Sequence, residues 1–165
     1  MKKAVKVLLC ILLLIILVIG SCQIIVDKYG VPDKAKIEKC LQQDKRDLNL
    51  IVNYLSESDY NYISVDKTSI KRGEMFTGAY THYQDIDDDV VLKAFDRLLK
   101  GKYIVIGKSH GTVYFEKWRF FEQSRGLAFL LDDYSSLFVE FLVKKDELSE
   151  SRWYYYETDY EKSRN

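Results

Sequence analysis

Residues Val7–Val26, VLLCILLLIILVIGSCQIIV, carry no charge over 20 positions, and no other stretch restricts the chain as much. At 1.5 Å per residue a helix of this length matches the roughly 30 Å hydrocarbon core of a bilayer. Lys2, Lys3 and Lys6 precede the run, and Asp27 and Lys28 end it. Basic residues ahead of an apolar run hold the amino end in the cytoplasm, so the chain beyond it is expected outside, with the bilayer as its first partner. The segments expected are a basic cytoplasmic start (1–6), a membrane anchor (7–26), a linker (27–33) and an extracytoplasmic α+β domain (34–165).

Three anchors share this pattern. The run can stay as an uncleaved single span, a signal anchor. It can be a cleaved secretory signal, since Val7–Ile19 has the length of an h-region and small residues Gly20 and Ser21 follow. The third reading is chemical: Val18-Ile19-Gly20-Ser21-Cys22 resembles a bacterial lipobox, whose cysteine is diacylated after cleavage, making Cys22 the candidate lipidation site. Gly20 stands where Ala, Ser or Thr is commoner, and apolar Ile24–Val26 replaces the usual polar tether. All anchored forms place the domain on the same side of the membrane.

Beyond the run, the chain has the length of a single core. Its 25 basic residues, less Lys2, Lys3 and Lys6, leave 22 against 25 acidic, so no basic footprint for nucleic acid is present. Cys10 and Cys22 lie in the apolar run and Cys40 is alone after it, so no disulfide framework can form in the domain. A supply of 13 Tyr and 8 Phe argues for a strand-rich folded body.

Pro32 and Asp33 punctuate a helix start, and Ile37, Leu41, Leu48, Ile51 and Leu55 follow at helical spacing with Asp44 in the one missing place. Such a stripe suits packing on the chain's own sheet better than a dimerising coiled coil, which needs more heptads. Tyr60–Asp66 alternates as a strand, Lys71-Arg72-Gly73 reads as a turn, and Ala79–Gln84 fits strand or helix. Asp87–Asp89 cap a second helix whose stripe is Val90/Val91, Ala94/Phe95 and Leu98/Leu99, closed by Lys100-Gly101. Strands are expected over Tyr103–Gly107, Thr112–Phe121, Leu127–Leu131, Leu137–Val143 and Arg152–Thr158, with a charged loop Lys144–Ser151. The fold class is therefore α+β, with about two helices on an antiparallel sheet of about five strands.

No catalytic set, metal site or cofactor emerges from the motifs. Asp85–Asp89 begins like a calcium loop, but Val90 replaces the glycine and Asp96 the bidentate glutamate. Gly107-Lys108-Ser109 ends like a P-loop, but Gly101 is one residue too distant and strands flank it on both sides. Ser109 and His110 are adjacent, which points their side chains apart, and His82, His110 and Cys40 make a poor metal set. Rings at Trp118, Phe120, Trp153 and Tyr155 form the candidate interaction surface, for an envelope protein or a glycan. The function expected is a non-enzymatic binding or interaction module. The alternative is an envelope enzyme using carboxylates such as Glu116, Glu140 or Asp87–Asp89.

Arg119–Asp133 (RFFEQSRGLAFLLDD) and Leu148–Glu157 (LSESRWYYYE) resemble a group of small exported or membrane-anchored proteins of Gram-positive bacteria that end in a Trp-Tyr-Tyr-Tyr strand. The resemblance implies a place in the bacterial envelope. It implies no activity.

Overall fold

The computed structural model describes residues 30–78, 82–132 and 139–163. Among these no helix is long and apolar enough to cross a membrane, which corrects the expectation of a transmembrane helix or signal anchor in a single-pass membrane protein. Val7–Val26, with Cys22, lies outside the described residues. The chain divides by its own contacts into Met1–Val31 and Pro32–Asn165, and every element below belongs to the second unit.

Helix α1 (Lys34–Glu57) begins where Asp33 accepts a hydrogen bond from the Lys36 N–H at 2.8 Å. Its stripe Ile37, Leu41, Leu48, Ile51 and Leu55 is buried in the protein's own core. Asp44, the polar member of that stripe, is buried with it and accepts from Lys102 Nζ. Strand β1 (Tyr62–Asp66) runs into a single-turn helix α2 (Lys67–Arg72), held by a capping box between Asp66 and Ser69 and ended by Gly73 at φ 74°. Short strands β2 (Glu74–Thr77) and β3 (His82–Asp85) follow, then α3 (Asp89–Leu99), capped by Asp88 through the N–H groups of Val90 and Val91. The remainder is β4 (Val105–Ser109), β5 (Thr112–Phe120), β6 (Gln123–Leu130), β7 (Leu142–Glu147), β8 (Trp153–Asp159) and a terminal turn of helix, α4 (Tyr160–Ser163).

All eight strands join one antiparallel sheet in the order β3-β2-β1-β4-β5-β6-β8-β7. This corrects the expected five strands. Two of the additions, β2 and β3, are four residues each, too short to show a period of two. A third correction is β7, which uses Lys144-Lys145-Asp146-Glu147, expected as loop, for an outer strand. Charged side chains there discourage further pairing at an exposed edge.

Alternation divides the sheet into two unlike faces. Ile63, Val65, Ile106, Val113, Phe115, Leu127, Trp153 and Tyr155 meet α1 and α3 in the main core. The opposite face carries only a small cluster, Ala128, Leu130 and Tyr156, with Tyr114, Tyr154, Val139 and Leu142 packed on it.

Candidate functional site

The strand-end aromatics singled out in the sequence do not form one exposed surface. Trp153 and Tyr155 are 3% and 1% exposed, because their register on Phe129 and Leu127 turns them under the helices. Trp118 and Phe120 lie on the same face towards the β5–β6 turn, where Trp118 is half-buried beneath the Arg125 guanidinium and Phe120 is 59% exposed. The binding surface expected from Trp153 and Tyr155 is corrected accordingly: they are core residues.

The open face holds the site. Cross-strand pairing aligns Tyr114 with Gly107 and Tyr156 with Gly126. A Cβ on Gly107 would come within 2.6 Å of the Tyr114 ring, and one on Gly126 within 3.0 Å of the Tyr156 ring and 2.1 Å of the Phe115 carbonyl oxygen. Each ring therefore lies across a glycine, an arrangement that lets an aromatic side chain rest flat on a sheet. Between these rings and the ends of β5 and β8 opens a hollow of about 340 Å³. Its size is at the lower end of the range of small-molecule sites.

Glu116 lines this hollow and is 4% exposed. It pairs with Gly126 across β5 and β6, and Gly126 pairs onward with Tyr156, so carboxylate and phenol stand on either side of a position without a side chain. A bulge between Glu116 and Trp118 resets the alternation and brings Arg119 back to the open face, where its Nη2 donates to Glu116 Oε2 at 2.7 Å. Glu116 Oε1 has no hydrogen-bond partner among the described residues. Burial raises the proton affinity of Glu116 against the opposing pull of Arg119. Burial likewise pushes the Tyr114 and Tyr156 hydroxyls up, so both phenols stay protonated and able to donate.

No family model, curated protein or solved structure matches this chain.

The rim adds two features. Glu122 and Glu140 also line the hollow, giving, among the described residues, three carboxylates against the single guanidinium of Arg119. Phe121 and Phe141 stand at its mouth, 85% and 43% exposed, and both hold positive φ values of 49° and 58°. Bulky residues rarely adopt that conformation, and such strain concentrates at binding and catalytic sites. At the far wall, Ser124 and Thr158 share a hydrogen bond of 2.8 Å.

The other candidate chemistries fall elsewhere. Asp88 is a helix cap and Asp87 accepts from the Tyr54 hydroxyl at 3.3 Å, with α3 already begun at Asp89, so the acidic run is no calcium loop. Lys108 points to the helix face and donates to the Ser58 carbonyl at 2.6 Å, not to any phosphate cradle. Ser109 Oγ lies 3.5 Å from His110 Nδ1, which corrects the expectation that the two side chains point apart. Among the described residues no three His, Cys, Asp or Glu side chains are grouped to hold a metal ion. Sequence reasoning named Glu116 and Glu140 but missed Tyr62, Tyr114, Arg119 and Tyr156 as their neighbours. The available signal was Gly126, a glycine in a strand, which marks close approach.

Proposed function

We propose that the protein is a binding module that receives part of a partner molecule in the hollow on the open face of its sheet. The observation that carries this reading is Glu116, a buried carboxylate at the hollow with one oxygen unpartnered among the described residues. A buried acceptor without a donor costs stability, commonly about 1–3 kcal/mol, and is a feature that an incoming donor would relieve. The strained phenylalanines at the rim and the half-buried ring of Tyr114 add apolar contact area for the same guest.

A site-specific photo-crosslinker tests this reading. Placed at Tyr62 on the wall of the hollow, it is expected to trap a discrete partner, and the adduct should vanish when Glu116→Gln is added. The same crosslinker at Lys93, on the exposed side of α3, is the control. Identical adducts from both positions would refute the assignment.

A catalytic reading stands second because Glu116 and Glu140, both among the carboxylates named from the sequence with Asp87–Asp89, line one hollow. Glu116, with its raised proton affinity, would be the proton donor and Glu140 the base. Turnover of a bound ligand, abolished by Glu116→Gln and by Glu140→Gln alike, would decide for it. Binding without turnover decides against it.

A further inference from the structure

We infer that the guest of the hollow is an organic cation, an alkylammonium or guanidinium group such as the end of a lysine or arginine side chain. This rests on the reading of the hollow as a binding site and adds the chemistry that selects the guest. Three observations converge. The first is Glu116 Oε1, an acceptor with no donor among the described residues, beside a hollow that its own residue lines. A cationic N–H donor makes the stronger hydrogen bond to such an oxygen.

The second is charge. Among the described residues that line the hollow, Glu116, Glu122 and Glu140 outnumber Arg119, so an anionic guest would meet net repulsion where a cation meets attraction. Arg119 is itself the template: a guanidinium already sits on Oε2 at 2.7 Å, which shows that this carboxylate accepts a cationic donor in this setting. The third is the floor. Tyr114 lies flat over Gly107, half-buried and packed on the buried Tyr156, and the negative face of an aromatic ring attracts cations. A carboxylate among tyrosine rings has the composition of a receptor for an amine. The neutral alternative, a sugar stacked on the same rings, would make no use of the surplus of carboxylates.

Titration of the purified full-length chain by calorimetry, with saturation-transfer NMR to place each probe, tests the inference. The cationic probes are Nα-acetyl-arginine methylamide and Nα-acetyl-lysine methylamide. The neutral isostere is Nα-acetyl-citrulline methylamide, the anion is Nα-acetyl-glutamate methylamide, the sugar is N-acetylglucosamine, and n-butylammonium and spermidine represent free amines. The cationic peptides should bind about tenfold or more tighter than citrulline, and Glu116→Gln should remove that preference. A Glu122→Gln/Glu140→Gln variant, altered only at the rim, should weaken cation binding by about threefold to tenfold and leave citrulline unchanged.

Free amines binding as tightly as the peptides would assign the cation to a small amine instead of a protein side chain, with the cation assignment upheld. Citrulline, glutamate or N-acetylglucosamine binding at the hollow as tightly as arginine would overturn the cation assignment and leave the binding reading standing. Cation binding undiminished in both carboxylate variants would also overturn it. If no probe of any charge occupies the hollow, both readings fail together.

Discussion

Arg119 Nη2 donates to Glu116 Oε2 at 2.7 Å while the other oxygen of that carboxylate has no partner among the described residues. The pair is lopsided, since the arginine side chain is half exposed and the glutamate is buried. Solvent weakens what Arg119 can return, and burial therefore dominates the balance, raising the proton affinity of Glu116.

A pH-dependent stability follows from that balance. A folded-state value above the unfolded one means that the native chain holds the proton more tightly, so stability is greatest at low pH. It falls as pH rises from the unfolded value near about 4.3 through the higher folded one. Glu116→Gln removes the titration. At pH 8 the variant should be about 1 kcal/mol more stable than the parent in denaturant unfolding, and the gap should close near pH 4. A variant less stable than the parent at pH 8 would show that the Arg119 pair outweighs the burial penalty.

The floor of the hollow is rigid at Gly126. Its missing side chain faces the Phe115 carbonyl oxygen at 2.1 Å, a backbone atom that cannot move without opening β5 from β6. Gly126→Ala should cost about 3 kcal/mol or more, or prevent folding. Gly73→Ala is the comparison: nothing lies near its Cβ, but its φ of 74° belongs to glycine, and the cost should be about 1 kcal/mol. Thermal melting of the two variants ranks them, and equal losses would mean that the contact at Gly126 is not what limits it.

What the sequence made legible were the parts where one local rule acts alone. Asp33 and Asp88 cap helices as side-chain acceptors, and the stripes of α1 and α3 are buried as their spacing requires, except Val90, which is 56% exposed in the first turn of α3. Strand β2 escaped because four residues carry no readable period, β3 overlaps Ala79–Gln84, where the sequence fits strand and helix equally, and β7 escaped because its Lys-Lys-Asp-Glu run looks like solvent loop until a neighbour pairs with it. The same limit hid the site. Glu116, Gly126 and Tyr156 are ten and more residues apart in the chain and meet only through the registers of β5, β6 and β8. The bulge that returns Arg119 to Glu116 falls where the core-side positions of β5 shift from Val113 and Phe115 to Trp118 and Phe120, a change of phase that shows where alternation breaks but not what it brings together. Alternation says that Trp153 and Tyr155 share a face, not that this is the face the helices cover, which is why the sequence points to a surface where the fold has core.

Asp44 is the one polar residue in the buried stripe of α1, and it accepts from Lys102 Nζ, whose side chain is half exposed. Removing the lysine strands a buried carboxylate, whereas replacing the carboxylate by leucine completes the stripe. Lys102→Ala should therefore destabilise by about 3 kcal/mol, and Asp44→Leu should be neutral or stabilise by up to about 2 kcal/mol. A double-mutant cycle in denaturant separates the pair from its surroundings. Asp44→Leu losing as much as Lys102→Ala would mean that the ion pair, not apolar packing, holds this part of the helix.

Lys108 joins the carboxy end of α1 to the sheet: its Nζ, buried beside Ile63 and Val113 in register, donates to the Ser58 carbonyl at 2.6 Å. A helix end offers unpaired carbonyls and partial negative charge, and a lysine there satisfies both. Burial nonetheless lowers the proton affinity of Lys108, with the charge of Asp59 opposing the shift. A lysine with a depressed folded value makes the folded state release its proton first. Stability then rises with pH through that value and reaches its full extent above the unfolded one near about 10.4. The neutral amine still donates, so the hydrogen bond survives the titration. Lys108→Met keeps the apolar stem and loses the donor. It should cost about 1–2 kcal/mol at pH 7 and more at pH 10, with faster amide exchange confined to the last turn of α1. A deficit that shrinks at pH 10, or exchange that accelerates across the whole sheet, would show that Lys108 acts through its charge or its packing and not as the donor that closes the helix.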